Sequence, residues 1–468
     1  VADFRVAVVG SGPSGFYAAE ALLRSGLSLA VDMFERLPVP YGLVRFGVAP
    51  DHPKLKQVTT VFDRIAAMPG FRFAGGVEVG TDVAVETLRA CYHAVILATG
   101  ADVGRRLNIP GEALAGCHQA GDFVAWYNGH PHFRERKFDL SGERAVVVGH
   151  GNVALDVARI LVKSADELRH TDIASHALEV LAESRIREVQ IVGRRGLSET
   201  RFAARELEEF LGLSDCDPAI EPGDFPDGCH EIAADAGGEV SEAGAIIARF
   251  ASRPNSKRKR CMFRFGLAPH GVEGGGRVER MLFRRGGTSR DARNTCVALD
   301  CNLVLASIGR VAAPLASIPY SEGRGVHANV AGRVVADGSP VRGLYVCGWG
   351  KRGASGTIGT NRACSVETVE ALIEDLKDTK EALPGDADTL LDRLSRELAG
   401  YVDYSGWRRI NEAEIACGRD LGKPRHKLVS TEHMNAVARG GLGDGSGNSG
   451  TRGLNGDMAG EPATSLAR

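Results

Sequence analysis

Two glycine-rich turns, each set between an apolar strand and a helix, constrain this chain more than any other feature. The first reads FRVAVVGSGPSG. Phe4 to Val9 form a near-continuous run of β-formers, the pattern of a strand buried on both faces of a parallel sheet. Gly10, Gly12 and Gly15 follow at once. Gly10 permits the tight turn, Gly12 lets backbone approach a pyrophosphate, and Gly15 lets the helix pack on the strand. Pro13 suits the first helical turn, where its missing N–H costs nothing. The helix runs through Tyr17, Ala21 and Leu22 towards a stop at Gly26. A second strand ends at Glu35, the place of a carboxylate that accepts hydrogen bonds from ribose hydroxyls. A GxGxxG alone is weak evidence. With strand, helix, strand and terminal acid in order, it predicts a dinucleotide site.

Further on, HAVILATGA forms another apolar strand. Its Ala98-Thr99-Gly100 resembles the ATG motif of flavoproteins with two dinucleotide-binding domains. The second glycine-rich turn then reads RAVVVGHGNVALDVARILV, with Gly149, Gly151 and Ala154. After a helical insertion, about Asp166 to Ser184, the next strand ends in Arg194-Arg195, where the first unit ended in an acid. A carboxylate suits a free ribose diol and would repel a 2′-phosphate; two guanidinium groups bind that phosphate through charge-assisted, fork-like bonds. The first site is therefore expected to hold FAD and the second NADP(H).

A chain of 468 residues is too long for one core and suggests two or three domains. The formal net charge of −2 argues against a wholesale electrostatic nucleic-acid binder. No apolar run approaches a membrane span. The N-terminus enters the first strand directly, so no targeting segment is expected in this chain. Ten cysteines are scattered without a CxxC, which suits a reducing, cytoplasmic setting and offers no zinc or iron–sulfur framework. No metal site is expected.

Between these landmarks, Leu37 to Lys54 is irregular and proline-rich. A single helix is expected from about Lys54 to Met68. The stretches CMFRFGLAPHGV, GRVERMLFRR and TCVALDCNLVLASIGR read as successive strands of one sheet, with Cys296 and Cys301 as strand or core residues. Near the end, GLYVCGWGKRGASGTIGTN runs from a strand through glycines into a helix. It is similar to the second flavin-contacting segment of the same flavoproteins, with Trp349 where those have an acid. Helices are expected to about Leu428, and the Gly-rich residues 431–468 to be disordered.

Four motifs in order, PYGLVRFGVAPDHPK, GNVALDVARIL, VGRRG and GWGKRGASGTIGTN, resemble the adrenodoxin reductase family, especially its actinobacterial NADPH–ferredoxin reductases. The resemblance implies an α/β fold of two Rossmann-like domains, with the NADP domain inserted in a discontinuous FAD domain. It implies FAD contacts at Ser14, Glu35, Leu43, Val79, Trp349, Gly356, Thr357 and Ile358, besides the first turn. It implies NADP contacts at Arg105, His150, Gly151, Asn152, Val153, Arg194, Arg195, Glu206 and Gly356. His52 is the implied active-site histidine, near Glu206. His150, where relatives often have Asn or Gln, and the polar run after VGRRG are departures that could alter NADP affinity.

The expected domains are residues 1–104 and 332–430 for FAD and 105–331 for NADP. The expected activity passes a hydride from NADPH to FAD and single electrons on to an iron–sulfur ferredoxin. His52 and Glu206 would position groups and manage protons, since hydride transfer needs no general acid. Other readings are an NADPH-dependent flavin oxidoreductase or electron-feeding subunit with a different acceptor, and a nucleotide-sensing module. Feeding subunits usually carry N-terminal cysteine clusters, whereas the first cysteine here is Cys91. A monomer is expected. The densest basic run, Arg253 with Lys257, Arg258, Lys259 and Arg260, is a candidate ferredoxin-docking surface, with Arg284, Arg285 and Arg290 next.

Overall fold

Phe4–Val9 lies inside a seven-stranded sheet, and alternate residues enter opposite cores. Val6 and Val8 join one apolar cluster, Ala7 and Val9 the other. Ala94–Leu97 divides in the same way, with Ile96 on one side and Val95 and Leu97 on the other. Burial on both faces is why these strands carry no polar alternation. The structure, a computed structural model, describes residues 3–200, 202–225, 242–254, 256–285, 296–377 and 385–441. Arg290 and the chain after 441 lie outside the described residues.

Across this sheet the order is Asn329–Val330, Arg333–Ala336, Ser339–Val346, Ala94–Leu97, Phe4–Val9, Leu29–Glu35, Phe71–Gly75. The last five strands are parallel and the first two add antiparallel. One sheet thus joins two segments distant in sequence. Between them the chain builds a six-stranded parallel sheet, in order Cys117–Gln119, Leu303–Ala306, Arg144–Val148, Glu188–Val192, Lys259–Arg264, Cys216–Ile220. The two crossings between sheets pair with each other, Val103–Gly104 antiparallel to Arg310–Val311. The fold is two Rossmann-like domains, one inserted into the other.

Four expectations need correction. Asn329–Val330 already belongs to the outer sheet, so the return falls at Arg310–Val311 rather than at 332. The helix from Lys54 to Met68 is two pieces, Pro53–Lys56 and Thr59–Ala66. Bonds spaced three residues apart, Thr60 N–H to the Gln57 carbonyl and Val61 N–H to the Val58 carbonyl, tighten the backbone at the break. The strands after Arg253 divide between two sheets. Gly266, at φ +67°, turns the chain out of the parallel sheet. Leu267–Glu273, Arg280–Arg285 and Cys296–Asp300 then form an antiparallel sheet of their own. Finally, residues 431–438 are helical: Thr431–Ala438 buries Met434 in the outer core beside Trp407 and Ile410.

Candidate active site

Both glycine-rich turns stand at the carboxyl ends of parallel strands. At the first, Gly10 has φ +107°, and a Cβ there would sit 2.5 Å from the Ala98 carbonyl oxygen. A Cβ on Gly15 would be 2.0 Å from the Gly10 carbonyl oxygen. Gly12 differs: its φ of −76° suits any residue, and an added Cβ would meet nothing within 4 Å. The second turn repeats this. Gly149, at φ +138°, would bring a Cβ to 2.1 Å from the Ser307 carbonyl oxygen, whereas Gly151, at φ −118°, faces open space. Nothing in the protein itself requires glycine at 12 or 151, and both leave room for a ligand group to approach the backbone. The helices that follow, Pro13–Leu23 and Asn152–Val162, have no side-chain cap. Their first-turn N–H groups suit an anion.

Glu35 ends its strand as expected and accepts bonds from Ser11 N–H at 3.1 Å, Ser11 Oγ–H at 2.6 Å and Leu37 N–H at 3.1 Å. The carboxylate therefore also ties the turn to the next strand. Tyr41, at φ +88°, donates its N–H to the Ser11 carbonyl, and Gly42 lies against Gly12. This brings Leu43, the first residue of the Leu43–Phe46 helix, beside the same turn. Val79 is buried and bridged to Val83.

The late glycine-rich segment docks on the start of the first helix. A Cβ on Gly348 would strike Ser14 Oγ at 2.0 Å, Ser365 Oγ–H donates to the Ser14 carbonyl at 2.9 Å, and Ser14 Oγ lies 3.2 Å from Asn361 Oδ1. Trp349 donates from its indole N–H to the Ser355 carbonyl at 3.0 Å, closing the loop before Gly356, Thr357 and Ile358. Gly356 and Thr357 are exposed, and Ile358 opens the Ile358–Lys377 helix.

At the second site Arg194 and Arg195 are exposed just beyond Val192. Arg195 Nε lies 3.5 Å from Glu199, and Arg194 has no ion pair among the described residues. Asn152 accepts the Ala203 N–H at 2.9 Å, which links the turn to the helix carrying Glu206. Val153 is unusually exposed for its type. His150 departs from expectation. Its ring packs against Phe202, Phe265 and Gly193, and burial pushes its pKa down to about 4. The side chain is scaffold, so that turn offers its backbone. Arg105 is exposed at the crossing, its backbone N–H bonded to the Gly309 carbonyl.

His52 lies where the two domains meet. Its Nε2 is 2.9 Å from Glu209 and 3.6 Å from Glu206, and its Nδ1 is 3.8 Å from Asp156. Arg159, almost fully buried, bonds Asp51 at 2.7 and 3.0 Å and Asp156 at 2.7 Å, and Lys163 bonds Asp51 at 2.7 Å. Burial alone would raise the Asp51 pKa, but these cations outweigh it and hold it far below the usual range. The ligand atoms of His52, Glu206 and Glu209 lie within 4.8 Å of one another. The Arg159 guanidinium, 3.4 Å from Glu209 and 3.9 Å from Glu206, already supplies the positive charge there. The structure brings together His52 and Glu206, which the sequence named, and adds Glu209, Asp51, Asp156, Arg159 and Lys163, which it did not. Two signals were present: Glu209 is one helical turn from Glu206, and Arg159 is a charge inside an apolar helix.

The basic run is not at this cleft. In register Arg260 pairs with Glu188 and Arg264 with Val192. Lys259 and Arg260 therefore stand at the opposite, amino-terminal end of their strand, about 13 Å from the Arg194 end at 3.3 Å per residue. The charges are also engaged: Arg258 with Asp215, Arg260 with Glu188, Lys257 with Asp217 and the Leu213 carbonyl, Lys259 with the Val162 carbonyl, and Arg253 with the Leu211 carbonyl. Arg285 pairs with Asp224.

The Pyridine nucleotide-disulphide oxidoreductase family matches residues 4–192. "NADPH-ferredoxin reductase FprA" of Mycobacterium tuberculosis is 43% identical, over 93% of this chain and 99% of that protein. The mitochondrial "NADPH:adrenodoxin oxidoreductase" of Arabidopsis thaliana is 38% identical, over 92% of this chain and 95% of that protein. The solved structure of Mycobacterium tuberculosis FprA in complex with NADPH superposes with a TM-score of 0.87 at 41% identity, covering 93% of this chain and 99% of that one. Similarity of this depth along nearly the whole of each chain shows that the protein belongs to the NADPH–ferredoxin reductases of the adrenodoxin reductase family.

Proposed function

We propose that the protein carries electrons between NADPH and an iron–sulfur ferredoxin through bound FAD. One observation carries this reading. Equivalent strand ends in two Rossmann-like sheets present opposite charges, Glu35 in one and Arg194 with Arg195 in the other. FAD, when bound, supplies a group that accepts two electrons together and releases them singly. The chain's own residues do the rest. The turn at Gly10, Gly12 and Gly15 and the uncapped helix behind it receive the FAD pyrophosphate, and Glu35 the adenosine ribose. Ser14, Leu43, Val79, Trp349 and Gly356 to Ile358 line that site. Gly151, Asn152 and Val153 receive the NADP pyrophosphate by backbone, with Arg194 and Arg195 on the 2′-phosphate and Arg105 at the entrance. His52 and Glu206 exclude water and hold a proton where the domains meet.

In this reading the FAD domain comprises the strands up to Val103–Gly104 and those after Arg310–Val311, and the NADP domain the segment between. The basic run at Lys257 to Arg260 is no part of it. The family membership favours an iron–sulfur partner over a different acceptor. The test is direct. A yellow holoprotein should reduce ferricyanide with NADPH, and should reduce cytochrome c only when a ferredoxin is added. Ferricyanide activity without a ferredoxin-dependent step would point to another acceptor, and NADPH binding without reduction to a sensor.

A further inference from the structure

Residues 421–430 join the Tyr404–Asp420 and Thr431–Ala438 helices without helix or strand of their own. Both helices belong to the outer core, through Trp407, Ile410, Met434 and Val437. The linker nevertheless lies against the inserted domain. The Gly422 carbonyl is 3.4 Å from His170 Nδ1, and His426 Nδ1 is 3.5 Å from Ser175 Oγ. A Cβ on Gly129 would be 3.0 Å from Val429 Cγ1. The Lys427 side chain is fully buried; its Nζ donates to Asn128 Oδ1 at 3.1 Å and stands 3.1 Å from Asp172 Oδ2. Asn128 and Asp172 both belong to the inserted domain.

The same linker is tied to the short helix beside the first glycine-rich turn. Lys427 Nζ also donates to the Arg45 carbonyl at 3.3 Å. Glu414, fully buried, accepts two bonds from the Arg45 guanidinium, at 2.9 and 2.5 Å. It accepts one more from Arg425 at 2.9 Å and one from the Leu428 N–H at 2.8 Å. Arg45 lies in Leu43–Phe46, so the linker holds that helix by both backbone and side chain. None of these bonds involves the His52 cluster or the two chain crossings.

We propose that residues 421–430 are a strap that couples FAD occupancy to the placement of the inserted domain, with Lys427 as the positioning residue that fastens it. This rests on the reading of Leu43 as a residue of the FAD site. FAD at Leu43 fixes the Leu43–Phe46 helix, that helix holds Glu414 and Lys427, and Lys427 holds Asn128 and Asp172. Lys56 also bonds Asp172, at 2.6 and 2.8 Å, so two ammonium groups share one carboxylate. Burial pushes the pKa values of both lysines down, and Asp172 opposes it. A buried cation is costly unless it is paired and bonded. Asp172 needs only one lysine for neutrality. Lys427 adds what Lys56 does not, a bond to the Arg45 carbonyl on the flavin side.

Amide hydrogen exchange of the full chain with and without FAD tests the coupling. In the unsubstituted protein FAD should slow exchange in residues 42–46 and, by about tenfold, in residues 168–176 of the inserted domain. Lys427→Met keeps the Lys56–Asp172 pair, so no buried carboxylate loses its counter-charge. In this variant residues 42–46 should still respond to FAD and residues 168–176 should not. Coupling is reciprocal, so Lys427→Met should also bind FAD about tenfold more weakly. Lys56→Met makes the same change of charge at Asp172 outside the strap and should keep the response at 168–176. If 42–46 respond to FAD but 168–176 do not in the unsubstituted protein, the strap is overturned. A response that survives Lys427→Met, or is lost equally in Lys56→Met, overturns it too. No effect of bound FAD on residues 42–46 would instead remove Leu43 from the FAD site, and the proposal with it.

Discussion

Arg159 of the inserted domain grips Asp51 of the outer domain through two bonds, Nε to Oδ2 at 2.7 Å and Nη2 to Oδ1 at 3.0 Å. Both residues are largely buried, at 1% and 7% side-chain exposure, and His52 is the next residue in the chain. A cross-domain ion pair thus sets the position of the histidine. Asp51→Asn would leave Arg159 and Lys163 short of a counter-charge in a buried place. Removing one partner of a buried pair typically costs about 3–5 kcal/mol. Urea denaturation at neutral pH should show that loss, and a change below about 1 kcal/mol would mean the domains are held elsewhere.

A second cross-domain cluster predicts acid sensitivity. Asp172 of the inserted domain is bonded by Lys56 at 2.6 and 2.8 Å, and Lys427 lies 3.1 Å away. Burial would raise its pKa, but Lys427 and Lys56 outweigh it and hold it down to about 2. A folded-state value below the unfolded one contributes stability that is complete above about pH 4 and is lost as the pH falls towards 2. The contribution is about 2 kcal/mol at neutral pH. In Asp172→Asn, stability should vary less between pH 5 and pH 3 than in the unsubstituted protein, as urea midpoints would reveal.

Gly12 and Gly10 should separate ligand binding from folding. Gly12→Ala meets nothing in the protein, so its apoprotein should unfold like the parent, while FAD retention falls sharply. Gly10→Ala combines a left-handed φ with a 2.5 Å approach to the Ala98 carbonyl oxygen, so the apoprotein itself should be destabilised. Flavin fluorescence after dilution and thermal unfolding of both apoproteins read the two effects. Full FAD retention in Gly12→Ala would remove the pyrophosphate from that turn.

Coenzyme preference should rest on Arg194 and Arg195. Each charge-assisted bond is worth about 1.5–3 kcal/mol. Replacing both with Ala should raise the NADPH Michaelis constant by two orders of magnitude or more and leave that for NADH nearly unchanged. Equal losses with the two coenzymes would contradict a 2′-phosphate contact.

The basic run should not steer ferredoxin. Arg258→Glu lies before the amino-terminal end of its strand, far from the cleft, so ferredoxin-dependent turnover should keep its salt dependence. Lys259→Glu breaks a bond to the Val162 carbonyl and should lower stability instead. Slower ferredoxin reduction at low salt in Arg258→Glu would return the docking surface to this edge.

Local pattern was enough for the two strand–turn–helix units and for the acid and the arginines that end the paired strands. Those features depend on neighbours in sequence: glycine at a tight turn, apolar runs for strands buried on both faces, a charge at a strand end. The residues that hold His52 depended on tertiary structure. Asp51, Arg159 and Glu209 are scattered along the chain, and only the meeting of the two domains brings their charges within bonding distance. Packing likewise turned His150 inward, into an aromatic pocket built by Phe202 and Phe265. The basic run marks the limit of reading charge along a sequence. Parallel register, set by burial of the whole sheet, put Arg260 level with Glu188, away from the cleft, and left the run beside carboxylates and carbonyls that bond its cations.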